Sequence, residues 1–370
     1  MSELTVVTLH KYAVDVSTRA RLRPTVKDVA AQAGVAPMTV SYTFNHPARV
    51  AESTRTRVLE AAARLGYRPD STARALRSGR TQQLGVVVGE HLSYLFDDPQ
   101  AAQFLAGVAD VCVSEDLGVV LIPTRGDASD VDRVLSAAVD GYVLWTTVAD
   151  DPVLAAVASS GRPAAVQGGP AHPGLAVIGP DDRAAAAAVA AATPLAEATP
   201  VIISFPLDRR RTSGALRGRD LPPDLTDLQA VPFPVTGARL AGYRDALIQA
   251  GRDWDDARIA VVQRNQRELG EDAAAMLLET LEDSGPVVVL AMSDELALGA
   301  RSTVRRTQRE VMLTGWDGSR EATTSGVWSV AASLREQGRA CARAALSGEL
   351  EGHEVPWSVI APEDRPDTDR

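Results

Sequence analysis

Met38, Thr39, Ser41, Tyr42 and Asn45 fall within one short helical stretch near the amino terminus and are poor core material. Hydroxyls, an amide, a phenol and an apolar tip in that arrangement suit the edge of a nucleic-acid groove, where phosphates and base edges are contacted. The rest of the chain is poor in groups set out for reaction. It contains no GxSxG, HExxH, CxxC, Walker loop or helix-opening GxGxxG. Its five histidines, at 10, 46, 91, 172 and 353, stand apart without metal-ligand spacing. The reading is a binding protein with neither metal nor cofactor, and not an enzyme.

Charge points the same way. Of 370 residues, 38 are Lys or Arg and 48 Asp or Glu, for a net charge of -10. Residues 1–80 hold 13 basic against 6 acidic side chains, net +7, and the remainder hold 25 against 42, net -17. A basic head on an acidic body fits a polyanion-binding module attached to a part kept off polyanions. The hydrophobic fraction of 45% and charged fraction of 23% are those of a globular protein. Two cysteines, Cys112 and Cys341, rule out a disulfide framework and read as buried thiols. No apolar run reaches the length of a membrane span, and the first twenty residues lack a signal-peptide core. A cytoplasmic location is expected.

The elements that must carry these groups follow from periodicity. Thr25 can cap a helix with Val26, Val29, Ala30 and Ala33 on one face, and Gly34 ends it. Pro37 opens a second helix running to about Phe44. After the polar loop Asn45-His46-Pro47, a third helix starts near Glu52 or Ser53 and is expected to bury Val58, Leu59, Ala62 and Leu65 before Gly66. Three short helices with a tight turn between the first two fit a helix-turn-helix unit, or a small bundle of another kind. Residues 70–77 allow two more helical turns before a Ser-Gly-Arg link. Apolar runs at 84–88, 118–122, 142–145, 164–166, 201–203, 259–262 and 287–290 then alternate with helical stretches. Such alternation predicts α/β architecture with doubly wound parallel sheets, and its length predicts two lobes. The expected plan is an extension at 1–23, a helix-turn-helix domain at 24–68, a hinge at 69–80, a core at 81–365 and a disordered tail at 366–370. Within the core, lobe one is placed at 82–192 and 332–354, and lobe two at 193–331 and 355–365.

Thr25-Val26-Lys27-Asp28-Val29-Ala30, Ala33-Gly34-Val35 and Thr39-Val40-Ser41 resemble the DNA-binding headpiece of the LacI/GalR family of bacterial transcription regulators. The likeness continues through Asn45, Val50, Thr54-Arg55, Leu65-Gly66-Tyr67 and Pro69 into Ala73-Arg74-Ala75-Leu76, which is similar to the family's hinge helix. Weaker echoes are Arg239-Leu240-Ala241-Gly242-Tyr243, Ser293-Asp294-Glu295-Leu296-Ala297-Leu298-Gly299 and Gly315-Trp316-Asp317. The resemblance implies a two-lobed core like that of periplasmic binding proteins. It also implies that Pro37, Met38 and Tyr42 meet base edges, that Thr25, Thr39, Ser41, Asn45 and Arg55 meet the DNA backbone, and that Leu76 enters the minor groove as a wedge. Leu76 packing the hinge helix is the other reading. Most members carry arginine where Tyr42 stands, so a different operator sequence is expected.

The same resemblance places Arg239, Ser293 and Asp317 in a cleft between the lobes, with Asp294 a candidate helix cap. Trp145 is a cleft or core residue, and Leu92 and Tyr94 lie in the loop after the first strand, on the near side of the cleft. Departures at Ser293, Gly318 and Ala332 retune or erode the pocket. A homodimer on a palindromic double-stranded operator is implied, most simply as a repressor with a small effector of the carbohydrate class. The alternative keeps DNA binding with a vestigial cleft or a protein partner as signal. A solute-binding protein would need a secretory signal and would have no use for the basic head.

Overall fold

The computed structural model describes residues 24–68, 79–89, 92–282 and 284–362. The expectations for 1–23, for the hinge segment with Leu76 and for the tail lie outside the described residues. The chain divides at Arg80/Thr81 into two compact units.

The first unit holds α1 (Val26–Ala33), α2 (Pro37–Asn45) and α3 (Glu52–Leu65), with a 3-10 turn at Pro47–Arg49 where a plain loop was expected. Thr25 and Asp28 close a reciprocal capping box over the first turn of α1, satisfying two orphan amide donors. Gly34 and Gly66 end α1 and α3 in the left-handed region. Val29, Ala30, Ala33, Val40, Val58, Ala61 and Ala62 form the core, with Phe44 and Tyr67 packed against it at 5.8 Å between ring centroids. Leu59 departs from expectation and is 45% exposed. The inner face of α3 runs Val58, Ala61, Ala62, Leu65, and Leu59 lies one helical step round from it.

The second unit is built on two sheets. In chain order its elements are β1 (Gln83–Val88), α4 (Leu92–Asp97), α5 (Pro99–Ser114), β2 (Gly118–Pro123), α6 (Ser129–Leu135), β3 (Gly141–Trp145), α7 (Pro152–Ser159), β4 (Ala164–Gln167), β5 (Ala176–Gly179) and α8 (Asp182–Ala191). There follow β6 (Thr199–Ser204), β7 (Gly214–Arg217), α9 (Pro234–Gln249), β8 (Arg258–Val261), α10 (Arg267–Glu279), β9 (Val287–Ala291), α11 (Asp294–Val304) and β10 (Val311–Trp316). The last are α12 (Arg320–Thr324), β11 (Val327–Ala331), α13 (Leu334–Ser347), β12 (His353–Glu354) and β13 (Ser358–Ile360).

The first sheet has the order β12-β5-β4-β3-β1-β2 and is parallel throughout. The second, β13-β11-β10-β9-β6-β8-β7, is parallel except for its two edge strands, β7 and β13, which run antiparallel. All seven expected apolar runs are strands. Central strands are sealed by helices on both faces and so read as continuous apolar segments. The lobe boundary falls earlier than residue 192, because Ala185, Ala186, Val189 and Ala190 of α8 are buried in the core of the second sheet. The chain therefore passes between sheets before α8, again between β11 and α13, and a third time between β12 and β13.

In the first lobe, α5 and α13 cross at Gly107 and Gly338. A Cβ at Gly338 would lie 2.2 Å from the carbonyl oxygen of Phe104, and one at Gly107 would lie 2.0 Å from that of Arg335. Asp110 locks the crossing by accepting from Arg335 Nε at 2.8 Å and Arg339 Nη2 at 2.6 Å, and these guanidiniums hold its carboxyl down at about 2. Gly338→Val is expected to destabilise the second unit by about 1–3 kcal/mol or more, through overpacking against backbone, read as a lower urea midpoint.

Candidate nucleic-acid interface and ligand cleft

In the headpiece, α2 turns Val40 and Thr43 inward and presents the opposite face to solvent. Met38 is 62% and Tyr42 37% exposed, one helical turn apart on the same side. Pro37 and Asn45 are exposed beside them, and Thr39 and Ser41 are half-buried. Asn45 Nδ2 donates to the carbonyl and hydroxyl of Ser41 at 2.9 and 3.2 Å. Arg55, on α3, meets Glu52 only at 3.8 Å, with the Arg55 side chain half-buried and Glu52 exposed, a pair too weak to hold the guanidinium from another anion. Thr25 is differently committed: its hydroxyl and its backbone N–H both donate to Asp28, at 2.8 and 2.7 Å. These bonds hold the Asp28 carboxyl below its usual range. As the helix stands, that hydroxyl serves the cap.

In the second unit, the carboxyl ends of both sheets surround a cavity of about 170 Å³. A single water needs only about 10–15 Å³ of such space. This is where open α/β sheets hold ligands. The first lobe contributes Asp98, Gln100, Trp145, Thr146, Thr147 and Gln167, and the second contributes Phe205, Arg211, Phe233, Arg239, Ser293 and Asp317. Of the six expected cleft residues, the cavity gathers Trp145, Arg239, Ser293 and Asp317. Leu92 is not among its walls. It sits on α4 instead of a loop and packs against the first-lobe core. Tyr94 is on the same helix, and its side chain lies outside the described residues.

Each gathered side chain has structural work. Trp145 stacks on Phe104 with 5.5 Å between ring centroids, so it is both core and cavity wall. Arg239 donates from Nε to Asp182 at 2.8 Å and from Nη1 to the Met292 carbonyl at 2.6 Å, with Trp316 3.6 Å from its guanidinium. Its Nη2 makes no hydrogen bond among the described residues. Burial raises the Asp182 carboxyl above its usual range, opposed by Arg239. Ser293, not Asp294, caps α11: its hydroxyl accepts from Leu296 N at 3.1 Å and donates to Asn265 Oδ1 at 2.5 Å. Asp294 instead accepts from the Ser329 hydroxyl at 2.6 Å and Ser319 N at 2.7 Å, and burial pushes it up to about 6.

Asp317 is half-buried on the cavity wall at φ 117°. Burial, and then the negative charge of Asp294, push its carboxyl well above the ordinary 3.8, against the pull of Arg239. The cavity also claims a disproportionate share of backbone strain. Among the described residues, five other than glycine have positive φ, and three of them, Thr146, Arg211 and Asp317, line it. Such strain concentrates where a fold holds side chains for a ligand. Sequence reasoning missed Asp98, Thr146, Thr147, Phe205 and Arg211. Position just past a strand end was the signal available for most of them.

A three-helix headpiece with a polar recognition face, joined in one chain to a two-sheet unit with a ligand-sized cleft, defines a cleft-bearing transcription regulator. The family described as "Bacterial regulatory proteins, lacI family" matches residues 25–70. A helix-turn-helix transcriptional regulator of Mycobacterium tuberculosis is 33% identical over 326 residues, covering 84% of this chain and 87% of its own. The regulator CelR of Thermobifida fusca is 30% identical over 310 residues, 81% and 83% of the two chains. A solved CelR–cellobiose complex superposes with a TM-score of 0.61 at 24% identity, covering 92% of this chain and 99% of that one. The crystal structure of a LacI-family regulator from Corynebacterium glutamicum gives a TM-score of 0.64 at 27% identity, covering 91% and 97%. The chain belongs to the LacI family and is a DNA-binding transcriptional regulator. Among its described residues no helix is long and apolar enough to cross a membrane.

The raised Asp317 carboxyl makes a prediction with a definite sign. Between the ordinary 3.8 and the raised value the folded protein keeps this proton and the unfolded chain has lost it, so stability present in acid is lost as pH rises through that window. Asp317→Asn should therefore raise the melting temperature of the second unit near neutral pH, with a gain that shrinks toward pH 4, followed by calorimetry. An equal gain at both ends would assign the effect to packing.

Proposed function

We propose that this regulator is a homodimeric repressor of an inverted-repeat operator, acting in the cytoplasm without catalysis, and that a small polyhydroxylated effector in the cleft changes its affinity for DNA. Two-fold protein symmetry calls for a two-fold site. Met38 and Pro37 offer apolar contact suited to a thymine methyl, and Tyr42 offers ring and hydroxyl. Thr39, Ser41, Asn45 and Arg55 position the helix on phosphates, with Thr25 holding the cap behind them. Leu76 acts as the minor-groove wedge.

The observation that carries the effector reading is that Arg239, with its unbonded Nη2, and the Asp317 carboxyl line the same cavity as Trp145. A guanidinium and a carboxylate can each make paired hydrogen bonds to vicinal hydroxyls, and an indole covers an apolar sugar face. CelR's complex with cellobiose supports the carbohydrate class. A coupling of about 1–3 kcal/mol between cleft and headpiece is enough to change DNA affinity several-fold to a hundredfold.

Selection of random duplex DNA by the full-length protein tests the DNA half. The expected motif is palindromic with a central pyrimidine–purine step, with affinity falling steeply as salt rises. Tyr42→Ala should cost about 1–3 kcal/mol of discrimination at one base of each half-site and leave non-specific binding in place. A calorimetric screen of monosaccharides, disaccharides and polyols tests the cleft. Saturable binding lost in Asp317→Asn, with DNA binding retained, is expected; no binding by any of them would favour a vestigial cleft.

A further inference from the structure

The loop after β6 has two faces. Phe205, Pro206 and Arg211 line the cavity, while Arg209 between them reaches across to the first lobe. Its Nε donates to Asp150 Oδ1 at 2.8 Å, with Nη2 2.5 Å from the same oxygen, and its Nη1 donates to the Gly126 carbonyl at 2.6 Å. These acceptors lie on separate first-lobe loops, one after β3 and one after β2. Both are anchored. The fully buried Asp130 carboxylate accepts from Arg125 N, Gly126 N and Asp127 N at 2.7, 2.9 and 3.2 Å and pairs with Arg133, which fixes the Gly126 loop. Asp150 adjoins Asp151, whose carboxylate caps α7 by accepting from Val153 N at 2.9 Å. On the same loop, Thr146 and Thr147 are cavity walls, and Ala149 N–H donates across the cleft to the Pro232 carbonyl at 3.1 Å. The neighbouring contacts of Asn265 with Asp98 and of Arg211 with Gly89 are longer, at 3.3 and 3.5 Å.

We propose that Arg209 is a latch across the cleft: while it grips Asp150 and Gly126 the lobes stay closed over the cavity, and it lets go for a ligand to enter or leave. The latch deepens the effector reading and rests on it for its purpose. Wall residues and latch residues alternate along the same two loops, so a molecule that pushes on Thr146 or Arg211 also moves an end of the latch. Arg209 is 33% and Asp150 62% exposed, so water and salt weaken the ionic part, and the grip suits repeated opening. The fraction of molecules with the latch open scales the apparent affinity for anything bound inside.

The test needs no ligand. Amide hydrogen exchange of the full-length protein, without DNA or additives, reads opening at Ala149, whose N–H bond crosses the cleft. In Arg209→Gln the Ala149 amide should exchange roughly tenfold faster, and in Asp150→Asn, which keeps the Gly126 contact, roughly threefold faster, while amides of β1 and β9 are unchanged. Raising salt to about 1 M should speed Ala149 exchange in the wild type and leave Arg209→Gln unaffected. Unchanged Ala149 exchange in Arg209→Gln, or an increase shared equally by β1 and β9, overturns the latch. Neither result touches the effector reading, which rests on saturable binding.

Discussion

Arg239 and Asp182 form an ion pair almost sealed from solvent, with side chains 10% and 7% exposed, and the cleft floor is built round it. The guanidinium ties α9 to the start of α8 through Asp182, to the end of β9 through the Met292 carbonyl, and to the end of β10 through the face of Trp316. Removing one partner of such a pair typically costs about 3–5 kcal/mol, because the other is left charged in a poor solvent. Asp317 follows Trp316 directly, so the ring clamped by Arg239 also fixes where the Asp317 carboxyl stands. A residue expected to greet the effector is thus first a structural post, with one nitrogen left over for the task.

The two walls of the cavity are held by different means. The second lobe relies on this buried charge, on the Ser293 cap and on the Asp294 carboxylate with its two serine partners. The first lobe relies on stacking, Trp145 on Phe104, and on the positive-φ backbone of Thr146. A β-branched residue in that conformation is strained by about 1–3 kcal/mol and persists only because its surroundings determine it. Charged and aromatic groups stand on both walls, Asp98 and Trp145 on one and Arg239 and Phe205 on the other, which suits a ligand with polar edges and an apolar face.

Much of this was legible in the residues, and the failures have physical reasons. Central strands announced themselves as apolar runs. The strands β10 and β11 did not, because the fully buried Thr314 and Ser329 interrupt their patterns. The short edge strands carry too few side chains to show a period. The α8 boundary was misplaced because a helix of alanines looks alike from every side and does not say which sheet it serves. Arg239 was found through its neighbours in the chain, but its partner lies 57 residues away, and no local pattern reveals that commitment. Leu92 was apolar and near the right strand, and the core claimed it. The headpiece read most faithfully, since its caps, glycines and turn are all local signals.

The threefold passage of the chain between the sheets bears on how the molecule is made. The first sheet is not finished when its fifth strand emerges. Its sixth strand, β12, and the helix α13 that buries Cys341, Ala342 and Ala345 in its core arrive only after the whole run from α8 to β11 has been synthesised. The second sheet has all but its last edge strand by then. Vectorial synthesis therefore favours the downstream lobe as the first to close, and the earlier-made lobe waits with one helix-sized apolar face uncovered until the carboxyl-terminal residues return to it.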